Sequence, residues 1–312
     1  MTNLPTARSK RIGDYRIIAP IGVGSSATVY RAVNEASGHE VAIKVLAENL
    51  SLLPEPRHRF RDEAEILMTI NSPAVASIFE VGTTDTGQPF MVLELADRGD
   101  LRRRVEESRS RGELVDWTDL WALGRHLYDA LSSLHDRGIV HRDVSPGNIL
   151  IQHRPELRGM TAANLLEPGE RFILSDLGFA KDLEWASGFT AGGGTRGFAS
   201  PEQLNEVTVI DHRTDIFSAS AVIDWTVYDG PFAGALEPFL FKGLADDPNQ
   251  RYATIDEWYD TFVDAMDGFH EWEDLPRSGG WMAAIMVFLI GLAVIVLVLW
   301  TSNSLGDLFD SL

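Results

Sequence analysis

The 312-residue chain contains no cysteine. That excludes disulfides, thiolate nucleophiles and cysteine-type zinc sites. Its eight histidines show no H-x-x-x-H or similar spacing, so no structural metal is expected. Basic residues are scarce, 27 against 46 acidic ones, which makes a formal charge of −19. Only Lys10, Lys44, Lys181 and Lys242 are lysines. Such a field repels nucleic acid and anionic lipid surfaces, and no polyanion partner is expected. An acidic, lysine-poor surface fits a salty cytoplasm, where screening removes self-repulsion, and equally fits a compositional bias of lineage. The first thirty residues lack an apolar secretory core, and Arg8, Lys10 and Arg11 lie in a short polar tail. The rest is ordinary for a folded body, with 45% apolar and 23% charged residues, enough for one large domain or two modest ones.

One stretch lacks charge altogether. WMAAIMVFLIGLAVIVLVLW, 281–300, spans about 30 Å as a helix, the thickness of a bilayer core. Trp281 and Trp300 stand at its two ends, where aromatic belts form. A buried core helix would carry polar residues on some face, so the segment is predicted to be transmembrane. Arg277 precedes it, and Asp307 and Asp310 follow with no Lys or Arg, which points to an internal N-terminus and a short external tail, 301–312.

From Tyr15 to Leu95 the pattern is strand-like, in YRIIAPIG, ATVYRAV, EVAIKVL, VASIFEVG and PFMVLEL. One helix interrupts it, RHRFRDEAEILMTI at 57–70, with Phe60, Ala64, Leu67 and Met68 expected on its apolar face. Helices dominate beyond Asp100, as in DLWALGRHLYDALSSLHDRG, 119–138. A β-rich lobe followed by an α-rich lobe predicts a cleft between two bodies.

Four motifs carry chemistry. In IGVGSSATVY, 21–30, Gly22 and Gly24 let backbone N–H groups approach a phosphate with no Cβ in the way. In VAIK, 41–44, Lys44 sends an ammonium out of an apolar strand, suited to phosphates if a helix carboxylate holds it. Glu63 is the candidate carboxylate, Glu65 lying on another face of the helix. In HRDVSPGN, 141–148, Asp143 would accept the proton of an attacking hydroxyl, and Asn148 would offer its amide oxygen to a metal. FILSDLG then sets Asp176 beside a glycine after a strand, suited to Mg²⁺ bridging phosphates.

In this order the motifs resemble those of protein kinases, specifically the bacterial (Hanks-type) serine/threonine kinases, over roughly 14–268. The resemblance implies an α+β, two-lobed protein-kinase-like fold. The N-lobe would run 14–95 and the C-lobe 96–268, after a tail at 1–13. A linker at 269–280 would lead to the transmembrane helix. It implies transfer of the γ-phosphoryl group of ATP to protein hydroxyls, with Mg²⁺ or Mn²⁺, and autophosphorylation in signalling. Ile21, Val29, Ala42 and Leu150 would enclose adenine. Glu94 and Ala96 would bind it through their backbone, with Leu93 as gatekeeper, and Asp100 would meet the ribose. Thr195 would bond the catalytic acid, Thr190 would be a phosphorylation site partnered by Arg142, Glu202 would pair with Arg251, and Asp215 would brace the catalytic loop. A homodimer is a further expected partner, although Gly291 alone makes no small-xxx-small motif.

The chain departs from the family in five places. Ser145 stands where a lysine ordinarily touches the γ-phosphate, Ala27 replaces the third glycine, and Leu177 replaces the phenylalanine after the metal acid. The segment between Asn148 and Asp176 is longer than usual, and that between Pro231 and Arg251 is shorter. These departures leave a second reading open, a pseudokinase serving as a nucleotide-binding interaction module. A small-molecule kinase of related fold is disfavoured by the Ser200-Pro201-Glu202 ending of the activation segment.

Overall fold

The computed structural model describes residues 10–157, 165–176, 197–204, 210–228, 230 and 232–273. Residues 1–266 form one compact unit and 267–312 another. The first contains a six-stranded antiparallel sheet: β1 (Arg11–Ile12), β2 (Tyr15–Val23), β3 (Ala27–Asn34), β4 (Glu40–Leu46), β5 (Ile78–Thr83) and β6 (Pro89–Glu94), in the order β1-β2-β3-β4-β6-β5. Strand β1 lies in residues that the sequence reading left in the tail. The sheet's two faces have different tasks. Ile12, Tyr15, Ala32, Val41, Ile43, Val45, Phe90 and Val92 pack into one apolar cluster. The alternate positions face the other way, because side chains in a strand alternate with period two. Register pairs Val29 with Lys44, Lys44 with Met91 and Ala42 with Leu93, which puts all five on that second face.

A short helix, α1 (Glu48–Ser51), leads into α2 (Pro54–Thr69), which begins with proline where the missing N–H costs nothing. Phe60, Ala64 and Leu67 are buried on α2 as expected, but Met68 is 60% exposed. The apolar stripe is narrower than its sequence suggests, and Glu63, not Met68, completes the inward face.

Beyond the sheet come α3 (Leu101–Ser110), α4 (Trp117–His135) and the hairpin β7 (Ile149–His153) and β8 (Glu170–Leu174). They are followed by α5 (Pro201–Leu204), α6 (Arg213–Val227), α7 (Ala233–Gly243) and α8 (Ile255–Glu273). Helix α4 buries Leu120, Leu123, Leu127, Leu131 and Leu134, a three-to-four spacing that makes one continuous stripe. Trp258 and Phe262 of α8 stack with centroids 5.7 Å apart. Gly124 of α4 has no Cβ, and one built there would collide with the Phe262 ring. The short segment before Arg251 holds α7, whose Gly243 lies against Ser220 of α6, and a 3₁₀ turn at Pro248–Gln250. In the long segment between the hairpin strands, Leu165 is fully buried. Asp119 accepts from the N–H groups of Leu165 (2.7 Å) and Leu166 (3.1 Å), and Arg104 donates to the Leu165 carbonyl (2.8 Å) and to Glu170 (2.8 Å).

His126 of α4 is buried beside Phe172, and its Nε2 has no hydrogen-bond partner. Burial, with Arg171 adding repulsion, pushes its pKa down to about 3. The neutral ring therefore contributes its full stability above the unfolded value near 6.5. That contribution is lost progressively as pH falls toward 3. His126→Leu is expected to flatten the loss of stability between pH 6.5 and 4, read from denaturant midpoints. An unchanged pH slope would contradict this.

Among the described residues no helix is long and apolar enough to cross a membrane. The span expected at 281–300 lies outside them, as do Leu177, Thr190 and Thr195.

Candidate active site

The second face of the sheet roofs a cleft of about 480 Å³. Ile21, Gly22, Val29, Ala42 and Leu93 line it from the sheet, Ala96 and Asp100 from the segment after β6, and Leu150 and Asp176 from the β7–β8 side. Gly24 sits at the hairpin tip, where its N–H donates to the Ala27 carbonyl (2.9 Å). Asp100, expected to meet a ribose, also caps α3 by accepting from the Arg103 N–H at 2.8 Å.

Lys44 is 8% exposed and donates to Glu63 Oε1 (2.7 Å) and Asp176 Oδ1 (2.9 Å). Burial alone would drive this amine toward its neutral form. The carboxylates of Asp176 and Glu63 outweigh burial and raise its pKa above the ordinary lysine value. Glu63 is itself buried, which raises its carboxyl, with Lys44 pulling the other way. Glu65, one position beyond Ala64, is exposed, so helical phase alone selects Glu63.

Hairpin register builds the rest of the site. Ile149 pairs with Leu174, so Asn148 and Ser175 meet just beyond the ladder, and the Ser175 N–H donates to the Asn148 carbonyl at 2.9 Å. Asp176 follows with φ +58, a left-handed conformation uncommon for a non-glycine residue. The Asn148 amide nitrogen donates to the Asp143 carbonyl (2.8 Å) and to its Oδ2 (2.5 Å). That leaves Oδ1 of Asn148 as the atom to offer a cation. One amide oxygen and one carboxylate are hard donors, and they fit Mg²⁺, which takes few protein ligands and completes its shell from phosphates and water. No group of three or more His, Cys, Asp or Glu side chains that could hold a metal ion occurs among the described residues.

His141 bridges the two arms of the site. Its Nδ1 accepts from the Asp143 N–H (3.2 Å), and its Nε2 bonds the Ser175 carbonyl (3.2 Å). A backbone N–H can only donate and a carbonyl only accept, so the ring is the neutral Nε2–H tautomer. Burial, which lowers the His141 pKa, keeps it neutral. Asp215, fully buried, accepts from the N–H groups of His141 and Arg142, each at 2.8 Å, and pairs with His135 Nε2 at 2.9 Å. Arg251 forks onto Glu202 with bonds of 2.6 and 2.8 Å. Ser145 is 2% exposed, and its carbonyl accepts from the Asn148 N–H at 3.0 Å.

Several partners escaped the sequence reading. The Glu94 side chain joins a cluster with Gln152 (3.0 Å), Arg171 (3.2 Å) and Arg154. Gln152 also donates to the Leu95 carbonyl at 2.9 Å, which fastens the strand-to-helix connection to β7. Gln203 donates to the Arg142 carbonyl at 2.7 Å. None of these bonds follows a helical or strand period, so pattern alone could not reveal them.

A family model described as a protein kinase domain matches residues 15–252. A probable serine/threonine-protein kinase of Streptomyces coelicolor is 26% identical over 292 residues, covering 82% of this chain and 40% of its own length. The serine/threonine-protein kinase PknL of Mycobacterium tuberculosis is 30% identical over 247 residues, covering 78% of this chain and 56% of its own. The DNA damage-responsive serine/threonine-protein kinase RqkA of Deinococcus radiodurans is 32% identical over 216 residues, covering 68% and 29%. The chain thus spans less than two thirds of each relative's length. The crystal structure of the Mycobacterium tuberculosis PknI kinase domain superposes with a TM-score of 0.62 at 20% identity. It covers 84% of this chain and all of that one, a likeness of fold.

Proposed function

Since the chain belongs to the protein kinase family, we propose that it is a membrane-anchored serine/threonine protein kinase that transfers the γ-phosphoryl group of ATP to protein hydroxyls. The observation that carries this reading is the bonding of Lys44 to Glu63 and Asp176 at the cleft, joined through the Ser175–Asn148 backbone bond to the Asn148–Asp143 pair. Asp143 orients the acceptor hydroxyl and takes its proton. Lys44 and the turn at Gly22 and Gly24 position the phosphates. Asn148 and Asp176 would hold Mg²⁺, which would supply positive charge to the phosphates. Ile21, Val29, Ala42 and Leu150 enclose the base, and the backbone at Glu94 and Ala96 meets its polar edge. Thr190 and Thr195 would act in autophosphorylation and in bonding Asp143. The full chain in detergent, with labelled ATP, Mg²⁺ and a generic basic protein, tests the reading. Labelling of neither the chain nor the acceptor, together with retained ATP-dependent thermal stabilisation, would favour the pseudokinase that Ser145 motivates.

Ser145 makes the rate a specific expectation. One charge-assisted hydrogen bond contributes about 1.5–3 kcal/mol, hence roughly 10- to 150-fold in rate. Ser145→Lys is expected to raise kcat within that range, provided that the longer side chain leaves the buried loop folded, as a thermal midpoint would report. An unchanged kcat in a folded variant would mean that another group supplies the charge.

The segment 281–300 would hold the body against the inner face of the cell membrane, where ATP is present, with 301–312 outside. A chain lacking 281–300 is expected to move from the membrane to the soluble fraction. Retention in the membrane fraction would refute the anchor.

A further inference from the structure

Arg142, the residue immediately before Asp143, has φ +65. For an L-residue this conformation persists only where its surroundings over-determine it. Both of its backbone polar groups are held by side chains that come from different elements. The N–H donates to Asp215 Oδ1 of α6 at 2.8 Å, and the carbonyl accepts from Gln203 Nε2 of α5 at 2.7 Å. Gln203 is 5% exposed. Its other end is equally engaged, since Oε1 accepts from the Ser200 N–H (3.1 Å) and hydroxyl (3.2 Å). Ser200 meets the Thr214 hydroxyl at 3.1 Å, and Thr214 donates to Glu202 at 2.7 Å.

We propose that Gln203 is a positioning residue for phosphoryl transfer: by fixing the Arg142 carbonyl it sets the turn that carries Asp143, and it couples that turn to the Ser200–Leu204 segment. The inference rests on the kinase reading above. Gln suits the task because its amide is donor and acceptor at once, so a single side chain can bond Ser200 and Arg142 in opposite directions. A displacement of Ser200–Leu204 withdraws the donor from Arg142 and frees the strained turn. Asp143 then loses its aim while the nucleotide cleft is untouched, because neither Gln203 nor Arg142 lines it.

Gln203→Glu separates the two functions. It keeps the acceptor for Ser200 and removes the donor to Arg142, placing carboxylate oxygen against carbonyl oxygen. Measured on the full chain in detergent, kcat is expected to fall about 10- to 100-fold, the scale of a misplacement near 1 Å. KM for ATP is expected to stay within about twofold. Thr214→Val, which disturbs the same buried network without touching Arg142, is expected to lower the thermal midpoint and leave kcat near wild type. An active wild type whose Gln203→Glu variant keeps its kcat, or whose Thr214→Val variant loses kcat to the same extent as Gln203→Glu, overturns this inference alone. A wild type with no Asp143-dependent transfer overturns the kinase reading and this inference together.

Discussion

Asp143→Asn is expected to lower kcat by about 10²- to 10⁴-fold, the contribution of a positioned proton acceptor, with KM for ATP nearly unchanged. The substitution keeps shape and removes basicity. Asp143 is 7% exposed and is held on three sides, by the Asn148 amide on its carbonyl and on Oδ2, and by His141 Nδ1 on its N–H. The backbone contacts survive in the variant, so the loop keeps its course. An amide at this position, however, cannot take a hydroxyl proton. It must also turn its oxygen toward the Asn148 donor, which fixes its NH₂ group elsewhere. Asp143 does not line the nucleotide cleft, which is why binding and turnover should separate. Labelled phosphate transfer beside an ATP titration reads both quantities. An Asp143→Asn variant that labels itself and an acceptor at the wild-type rate would exclude Asp143 as the base.

Arg251→Met is expected to cost about 3–5 kcal/mol of stability, the penalty for leaving one member of a buried ion pair alone. That lowers the thermal midpoint by roughly 6–20 °C for a body of this size. The Arg251 side chain has no exposed surface and that of Glu202 only 4%. Besides the two bonds to Glu202, the guanidinium donates to the carbonyls of Ala245 (2.8 Å), Asp246 (3.1 Å) and Arg213 (3.1 Å), and it lies 4.9 Å over the Phe217 ring. Burial by itself would raise the Glu202 carboxyl, but the bonds from Arg251 and Thr214 more than compensate and lower it. Its contribution is therefore present above the ordinary carboxylate range and is lost as pH falls through the lowered value. Joining Glu202→Met to Arg251→Met removes the stranded carboxylate. The double variant should be less destabilised than the sum of the two singles. Strict additivity would mean that the pair is not coupled.

Much of the candidate site was legible because its chemistry is written at fixed spacing. Helical phase chose Glu63 over Glu65 before any coordinates, whereas the shared face of Val29, Ala42 and Lys44 follows from the register of β3 on β4. Met68 misled for an equally physical reason. It satisfies the period, but only the part of α2 that touches the sheet is covered, and its position lies past that edge. The family resemblance pointed to Asp215, Glu202 and Arg251 as a brace and a pair; Asp215 accepts from the His141 N–H, and Arg251 donates to Glu202. For the short segment before Arg251, the sequence showed only that something had been lost or rebuilt, and α7 occupies it.

By itself, then, the sequence determined the two-lobed order of elements, the phosphate-handling motifs and the charge balance. Each of these depends on residue type and on neighbours within a few positions. The tertiary structure decided which atoms hold the motifs in place. Gln203 on Arg142, Gln152 and Arg171 on Glu94, and Asp119 on Leu165 are bonds to backbone or side chain across 46 to 77 residues. Such bonds carry no period and need no particular spacing. They exist because a buried N–H or C=O must find a partner wherever the packed chain happens to bring one.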